Sequence, residues 1–425
     1  MDTPEPTPRS DPLGYLAQRK FSHRLPRCPR TRLPVSYADI GDPDGTPVLW
    51  MLPSGCSRWF AAPQGSDPLA KRYGIRLILV DRPGVGATPS VPLADRIEVS
   101  CNLMVSVLEH LDVKPAHMIV TSAGIYYALH LLLNHPTTFK SALSPPPSIY
   151  LVAPWSPLLP ADHPAYYPSY FTWIPSQVIA TQHITLPQLL KLAKTGSSLW
   201  NTGLKTLWST LDTAKSFING STTPEAYSSS ASTKSSEGLV HEHQIPGDLG
   251  GESGAVPSSA VPMSVDGIEY KTGDAEEEEQ SPHSGGMWGK FPCCVSCTTT
   301  DYFQAEEFSG VGQEHLICLN RGPIDTGHVW LEQTIRSLAT KLRAPLSAEE
   351  VAAGRGKPLL DVHVWWGWED GMVPRKGQLW FNKTFSRYPS ELKLTIHDVP
   401  TGDHTDLLGR SDGIYEVYDL IRQRG

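Results

Sequence analysis

Met118-Ile119-Val120-Thr121-Ser122-Ala123-Gly124 runs directly into the apolar stretch Ile125 to Leu133. The residues up to Thr121 read as a buried strand, and a helical pattern begins at once after Ser122, with Ala123-Gly124 at the bend. So abrupt a change from strand to helix lifts one serine hydroxyl clear of the sheet and leaves backbone amides free beside it. That is the local requirement of a nucleophile elbow. The usual spacing is Gly-x-Ser-x-Gly. Here Val120 stands in the first glycine position, and Gly124 keeps the second, where the helix must pass close to the strand. A serine that merely caps a helix would give a similar short pattern, so the elbow has to be judged against the rest of the chain.

Working outward, the neighbouring segments repeat one theme. Pro47 to Leu52 is a continuous apolar run that opens into Pro53-Ser54-Gly55-Cys56, and Ile75 to Asp81 is a second that ends in Arg82-Pro83-Gly84-Val85-Gly86. Apolar residues at Leu103, Val107, Leu108 and Leu111 mark a helix before the elbow strand, and Ser148 to Trp155 is a fourth buried strand. Later, a helix carrying Trp330, Ile335, Leu338 and Leu342 precedes the strand Leu359 to Gly367. A helix over Leu379 to Phe385, the strand Leu392 to Val399 and a C-terminal helix with Ile414, Val417, Leu420 and Ile421 complete the series. Continuous apolar strands alternating with helices predict an α/β fold, a mostly parallel sheet covered on both faces. Ligands in such sheets sit beyond the carboxyl ends of the strands, where these serine- and glycine-bearing turns fall.

Composition sets the domain plan. With 39 prolines and 35 glycines among 425 residues, a good part of the chain is irregular. Residues 1–33, proline-rich and carrying Arg24, Arg27, Arg30 and Arg32, are expected to be a flexible extension. Residues 34–155 form the first half of the core, beginning with a half-exposed strand at Pro34 to Gly41, and residues 323–425 form the second half. Between them, 156–322 is a helical cap or lid. It opens with Tyr166, Tyr167, Tyr170, Phe171 and Trp173, and continues with Trp200, Leu204, Leu207, Trp208 and Leu211 on one helical face. Within it, residues 220–300 are rich in Ser, Gly and Pro and carry Glu276 to Glu279, a composition expected to remain disordered.

The net charge of −8 gives no electrostatic case for nucleic acid or an anionic membrane, and no apolar run is long enough to be a transmembrane segment. The N-terminal residues lack the apolar core of a secretory signal, so the seven cysteines are expected as free thiols in a cytoplasmic protein. Cys293, Cys294 and Cys297, even joined by His283, make an incomplete ligand set, and no metal is expected there.

Three turns that directly follow strands carry Ser122, Asp370 and His404, in the chain order that accompanies an elbow serine. On Asp81-Arg82-Pro83-Gly84-Val85-Gly86, Val120 to Gly124, Gly367-Trp368-Glu369-Asp370-Gly371-Met372-Val373-Pro374 and Gly402-Asp403-His404, the chain resembles the α/β-hydrolase superfamily in its cap-bearing serine hydrolase branch. The resemblance covers both core halves and leaves out the insertion. It implies Ser122 as nucleophile, His404 as general base and then acid, and Asp370 as the carboxylate that orients it. It implies an oxyanion hole from the Ala123 amide and a second amide in the loop after Leu52. Pro53 has no amide, which leaves Ser54 or Gly55. Glu369, Asp403 and Asp406 are the alternative carboxylates. Asp370 is preferred because it sits in the turn leaving its strand, ahead of Gly371 and a helix-starting Pro374.

The expected function is hydrolysis of an ester or related acyl bond in a small substrate with an apolar portion, with no cofactor. A serine nucleophile argues against the aspartyl-ester chemistry of epoxide hydrolases and haloalkane dehalogenases. Two alternatives stay open: carbon–carbon bond cleavage or a lyase reaction by the same three residues, and a non-catalytic binding protein of the same fold. Neither the oligomeric state nor the identity of the substrate is written in the sequence.

Overall fold

Among the described residues, eight strands form one sheet. They are β1 (His23–Leu25), β2 (Val35–Gly41), β3 (Thr46–Met51), β4 (Ile75–Val80), β5 (His117–Thr121), β6 (Ser148–Val152), β7 (Leu360–Gly367) and β8 (Leu392–Val399). Their order across the sheet is β1-β2-β4-β3-β5-β6-β7-β8. β2 pairs antiparallel with both β1 and β4, and every pairing from β4 to β8 is parallel. The computed structural model describes residues 5–8, 10–62, 66–139, 148–184, 298–299, 302, 305–343 and 360–424. The aromatic helix expected at Trp200 to Leu211, the acidic run Glu276 to Glu279, His283, the cluster Cys293, Cys294 and Cys297, and the part of the expected disordered stretch before residue 298 lie outside them.

The winding reverses at β3. From there the chain moves to β4 on one side, then crosses back to β5 and continues outward through β8. A crevice opens at such a switch point beyond the strand ends. It is flanked here by the turn after β3, which carries Ser54, and the turn after β5, which carries Ser122.

Although the strands read as unbroken apolar runs, their residues sort by twos onto opposite faces. Leu49, Met51, Met118, Val120, Ile149, Leu151, Val362 and Val364 point into one core. There they meet α3 (Arg96–His110), α4 (Gly124–Asn134), α7 (His328–Arg343) and α8 (Arg375–Phe385). Val48, Trp50, Ile119, Tyr150, Val152 and Trp365 point into the other. That core is closed by α2 (Ser66–Arg72) and α9 (Glu416–Arg424). Continuous hydrophobicity is therefore what two covered faces require, and it fits the expected sheet.

The flexible extension expected over residues 1–33 does not describe residues 10–33. Asp11 caps α1 (Pro12–Leu16) through a 2.9 Å bond from the Gly14 amide, and Tyr15, Leu16 and Phe21 are buried in the second core. β1 then adds an edge strand to β2, and β2 is buried rather than half-exposed. The physical cause is the small apolar set Tyr15, Leu16 and Phe21, which completes the cover over that face of the sheet. Proline frequency in the surrounding sequence masked it.

The described parts of the insertion include α5 (Ser176–Ala180) and α6 (Gly310–Cys318). They lie above the carboxyl ends of the strands, and the segment leading into α6 is tied down by charge. Glu306, just before α6, accepts from Arg58 at 2.5 and 3.0 Å and from the Trp59 indole at 2.9 Å. Arg58 in turn pairs with the fully buried Asp81 at 2.5 Å.

Candidate active site

Ser122 has φ +47°, a left-handed conformation that non-glycine residues adopt only where surrounding structure enforces it. The enforcing contacts are backbone. The Ser122 carbonyl accepts from the Trp155 amide at 3.1 Å, while β5 on one side and α4 on the other fix the directions of entry and exit. Gly124 is needed because a Cβ there would stand 2.7 Å from the Met51 carbonyl oxygen. Val120 poses no such conflict. It lies within β5, opposite Met51 and Leu151, fully buried in the first core, so its side chain is absorbed by the sheet rather than by the turn.

The other two residues come from the turns after β7 and β8. Asp370 Oδ1 accepts the Met372 and Val373 amides, each at 2.8 Å, and this leaves Oδ2 for His404 Nδ1 at 2.7 Å. His404 Nε2 faces Ser122 Oγ at 2.9 Å. With the Nδ1 proton donated to Asp370, Nε2 is the acceptor for the serine hydroxyl. All three residues are buried. The two supporting turns touch backbone to backbone, since a Cβ on Gly367 would lie 2.2 Å from the Gly402 carbonyl oxygen. Glu369 is exposed, and the Asp403 and Asp406 carboxylates are engaged by one another's backbone amides. The structure thus brings Ser122, Asp370 and His404 into one hydrogen-bonded line and leaves the alternative carboxylates outside it.

The two loop amides fare differently. Ala123 is the N-cap of α4, and its amide is one of the donors that a helix start leaves without an intrahelical partner. Gly55 is a correction to the sequence reading. Its amide donates to Glu314 Oε2 at 2.8 Å and is therefore not free for an oxyanion. The physical reason is the buried Glu314 carboxylate on α6, invisible from the loop's own sequence. Ser54 remains, and it lines the same cavity as Ser122.

That cavity holds about 230 Å³. Its walls include Trp155, Phe171, Ile179, Cys318, Leu319 and Met372, and its polar side chains other than the serines are Gln182 and His315. Burial lowers the His315 pKa from its ordinary value, against the opposing pull of Glu314, and so favours the neutral ring. None of the described lining residues is a lysine or arginine.

Sequence reasoning missed two supporting groups. Gln378, fully buried on α8, donates to the Gly367 and Val373 carbonyls at 2.7 and 2.9 Å and holds the Asp370 turn at both ends. Glu314 lies in the insertion. A glutamine or glutamate within a helix carries no local mark that would single it out.

An eight-stranded, mostly parallel sheet, an elbow serine at its switch point, and an acid and a histidine on later strand turns define the α/β-hydrolase fold, and the chain has that fold. No protein-family profile matches the chain. Among curated proteins it is similar to a 2-hydroxy-6-oxononadienedioate/2-hydroxy-6-oxononatrienedioate hydrolase of Escherichia coli O81 (strain ED1a), 32% identical over 106 residues. That match takes in 24% of this chain and spans about a third, 36%, of the relative's length. Among solved structures it is similar to an esterase from Exiguobacterium antarcticum, with TM-score 0.47 and 11% identity over 93% of this chain and 98% of that one. A bromoperoxidase from Bacillus anthracis gives TM-score 0.47 and 12% identity over 95% and 99%. The sheet order and the strained serine turn define the fold without reference to these overlaps.

Proposed function

We propose that the protein is a serine hydrolase that cleaves an ester or related acyl bond of a small, partly apolar substrate. The observation that carries this reading is the line Ser122–His404–Asp370 opening onto an apolar cavity. A serine hydroxyl is a weak nucleophile by itself, and an imidazole at 2.9 Å is placed to take its proton as it attacks the acyl carbon. Asp370 holds the ring in the required tautomer and stabilises the imidazolium that forms. Negative charge developing on the acyl oxygen is met by the Ala123 amide and the Ser54 amide, donors that cost no reorganisation at the moment of reaction. His404 then returns the proton to the leaving alcohol, and water repeats the sequence on the acyl-enzyme. No step calls for a cofactor.

The substrate's apolar part is accommodated by Trp155, Phe171, Ile179 and Leu319. Carbon–carbon cleavage is the second reading, favoured by the 32% match to the E. coli hydrolase over 106 residues. That protein's name specifies a dioate, and the described cavity offers no cation to a carboxylate, so the uncharged ester is preferred. A cytoplasmic setting fits the free thiols of Cys28, Cys56, Cys101 and Cys318. Among the described residues, no helix is long and apolar enough to cross a membrane.

The test is a panel of p-nitrophenyl esters of increasing acyl length beside a vinylogous 1,5-diketone acid. Ester turnover by the wild type, abolished in Ser122→Ala, supports the first reading. Turnover of the diketone alone supports the second, and inertness toward both points to a binding protein.

A further inference from the structure

The turn after β3, residues 52–55, is gripped on both sides of Ser54 by two buried side chains that the reaction above does not use. Arg82 donates to the Leu52 carbonyl at 2.7 Å and to the Pro53 carbonyl at 2.6 Å. Glu314 receives the Gly55 amide at 2.8 Å. The two are themselves joined by a fork, Nε to Oε1 at 2.5 Å and Nη2 to Oε2 at 2.9 Å. Both are about 1% exposed. The Arg82 guanidinium also lies 4.6 Å from the ring centre of Tyr127, one turn into the helix that begins at the serine.

Such a paired, dry grip constrains position strongly, because no water competes for the carbonyls and each guanidinium hydrogen has a fixed direction. Gly55 itself supplies no stiffness, since its φ of +73° is the glycine-favoured region. Without the grip, a Pro-Ser-Gly turn has little to hold one amide at a fixed place. Glu314 belongs to α6, and the next residue, His315, together with Cys318 and Leu319, lines the cavity. One helix therefore touches the acyl pocket with one face and the oxyanion turn with another.

We propose that Arg82 and Glu314 are positioning residues that hold the Ser54 amide in register with the Ser122 reaction, so that the insertion's last helix sets the rate of the chemical step. This rests on the Ser122 reading. It gives a role to the Arg82 of Asp81-Arg82-Pro83-Gly84, a motif the hydrolysis alone leaves unexplained.

Charge counting identifies the variant that keeps its fold. Two arginines, Arg82 and Arg96, surround the single Glu314 carboxylate, with Arg96 Nη2 at 2.9 Å. Arg82→Met leaves Glu314 and Arg96 as a one-to-one pair, whereas Glu314→Gln leaves two buried cations unbalanced. The experiment measures kcat and KM on p-nitrophenyl butyrate for wild type, Arg82→Met, Arg82→Lys and Glu314→Gln, with thermal melting of each. Displacing one oxyanion donor by a fraction of its reach should cost part of the ~10²–10³ that outright loss costs. The expected result is a folded Arg82→Met whose kcat falls about 10- to 100-fold with KM changed less than about threefold, and partial recovery in Arg82→Lys, which reaches one carbonyl. A folded Arg82→Met with wild-type kcat overturns the proposal, as does a loss expressed only in KM. Should Arg82→Met fail to fold, Arg82→Lys, which keeps the buried charge balance, carries the same kcat-against-KM comparison. A wild type that neither turns over the ester nor reacts with a fluorophosphonate at Ser122 defeats the Ser122 reading instead, and the two failures are distinct.

Discussion

His404 Nε2 lies 2.9 Å from Ser122 Oγ across a separation of 282 residues, brought together by the turns that follow β5 and β8 of one sheet. The ring is aimed by Asp370, whose second oxygen is pinned by two backbone amides. Asp370→Asn keeps an oxygen for those amides but offers His404 an N–H in place of an acceptor. The ring is then driven to the wrong tautomer. We expect kcat to fall by about 10³–10⁴ with the melting temperature nearly unchanged, measured by steady-state kinetics and calorimetry.

Restoring the missing glycine of the elbow is expected to do harm. Val120 is fully buried within β5, and Val120→Gly removes its packing and loosens a central strand. A loss of about 2–4 kcal/mol in unfolding free energy is expected by chemical denaturation, with no gain in turnover. The contrasting change, Gly124→Ala, pushes a methyl against the Met51 carbonyl at 2.7 Å. Overpacking there should cost about 1–3 kcal/mol and lower kcat by shifting the serine.

Those two positions also show how far the sequence could be read. The strand-to-helix bend, the order of Ser122, Asp370 and His404, and the doubly covered sheet were legible because each is local or periodic. Val120 departs from the motif's first glycine, yet its side chain belongs to the sheet rather than to the turn. Gly55 looked available because nothing near it in sequence reveals Glu314, 259 residues away. The N-terminal segment looked loose because four buried side chains, Tyr15, Leu16, Phe21 and Cys28, are outnumbered there by proline and polar residues.

Acid sensitivity should follow Glu314. Burial alone would raise its carboxyl pKa, but Arg82 and then Arg96 overcome that and bring it from 4.5 to about 2. A carboxylate with a depressed native pKa contributes stability that is complete above its unfolded value and is lost as pH falls toward the native one. Wild-type stability should therefore decline between pH 4.5 and about 2, and Glu314→Gln should flatten that part of the profile in denaturant titrations at stepped pH.

Ile179 on α5 faces the cavity together with Phe171 and Leu319. Ile179→Trp adds bulk to a space of about 230 Å³ without touching the serine. Discrimination of a methylene in such a pocket runs to about 1–3 kcal/mol. The variant should thus lose kcat/KM on octanoyl esters by about tenfold or more and retain most of it on acetyl esters. Equal losses on both would point to a disturbed site rather than a filled pocket.

The most direct test of the account is the mass of the intact protein after exposure to a fluorophosphonate, for wild type and Ser122→Ala side by side, with the modified peptide sequenced. An activated serine predicts one phosphonyl adduct on the wild type, located at Ser122, and none on the variant. An unmodified wild type, or an adduct that persists in Ser122→Ala, would contradict it.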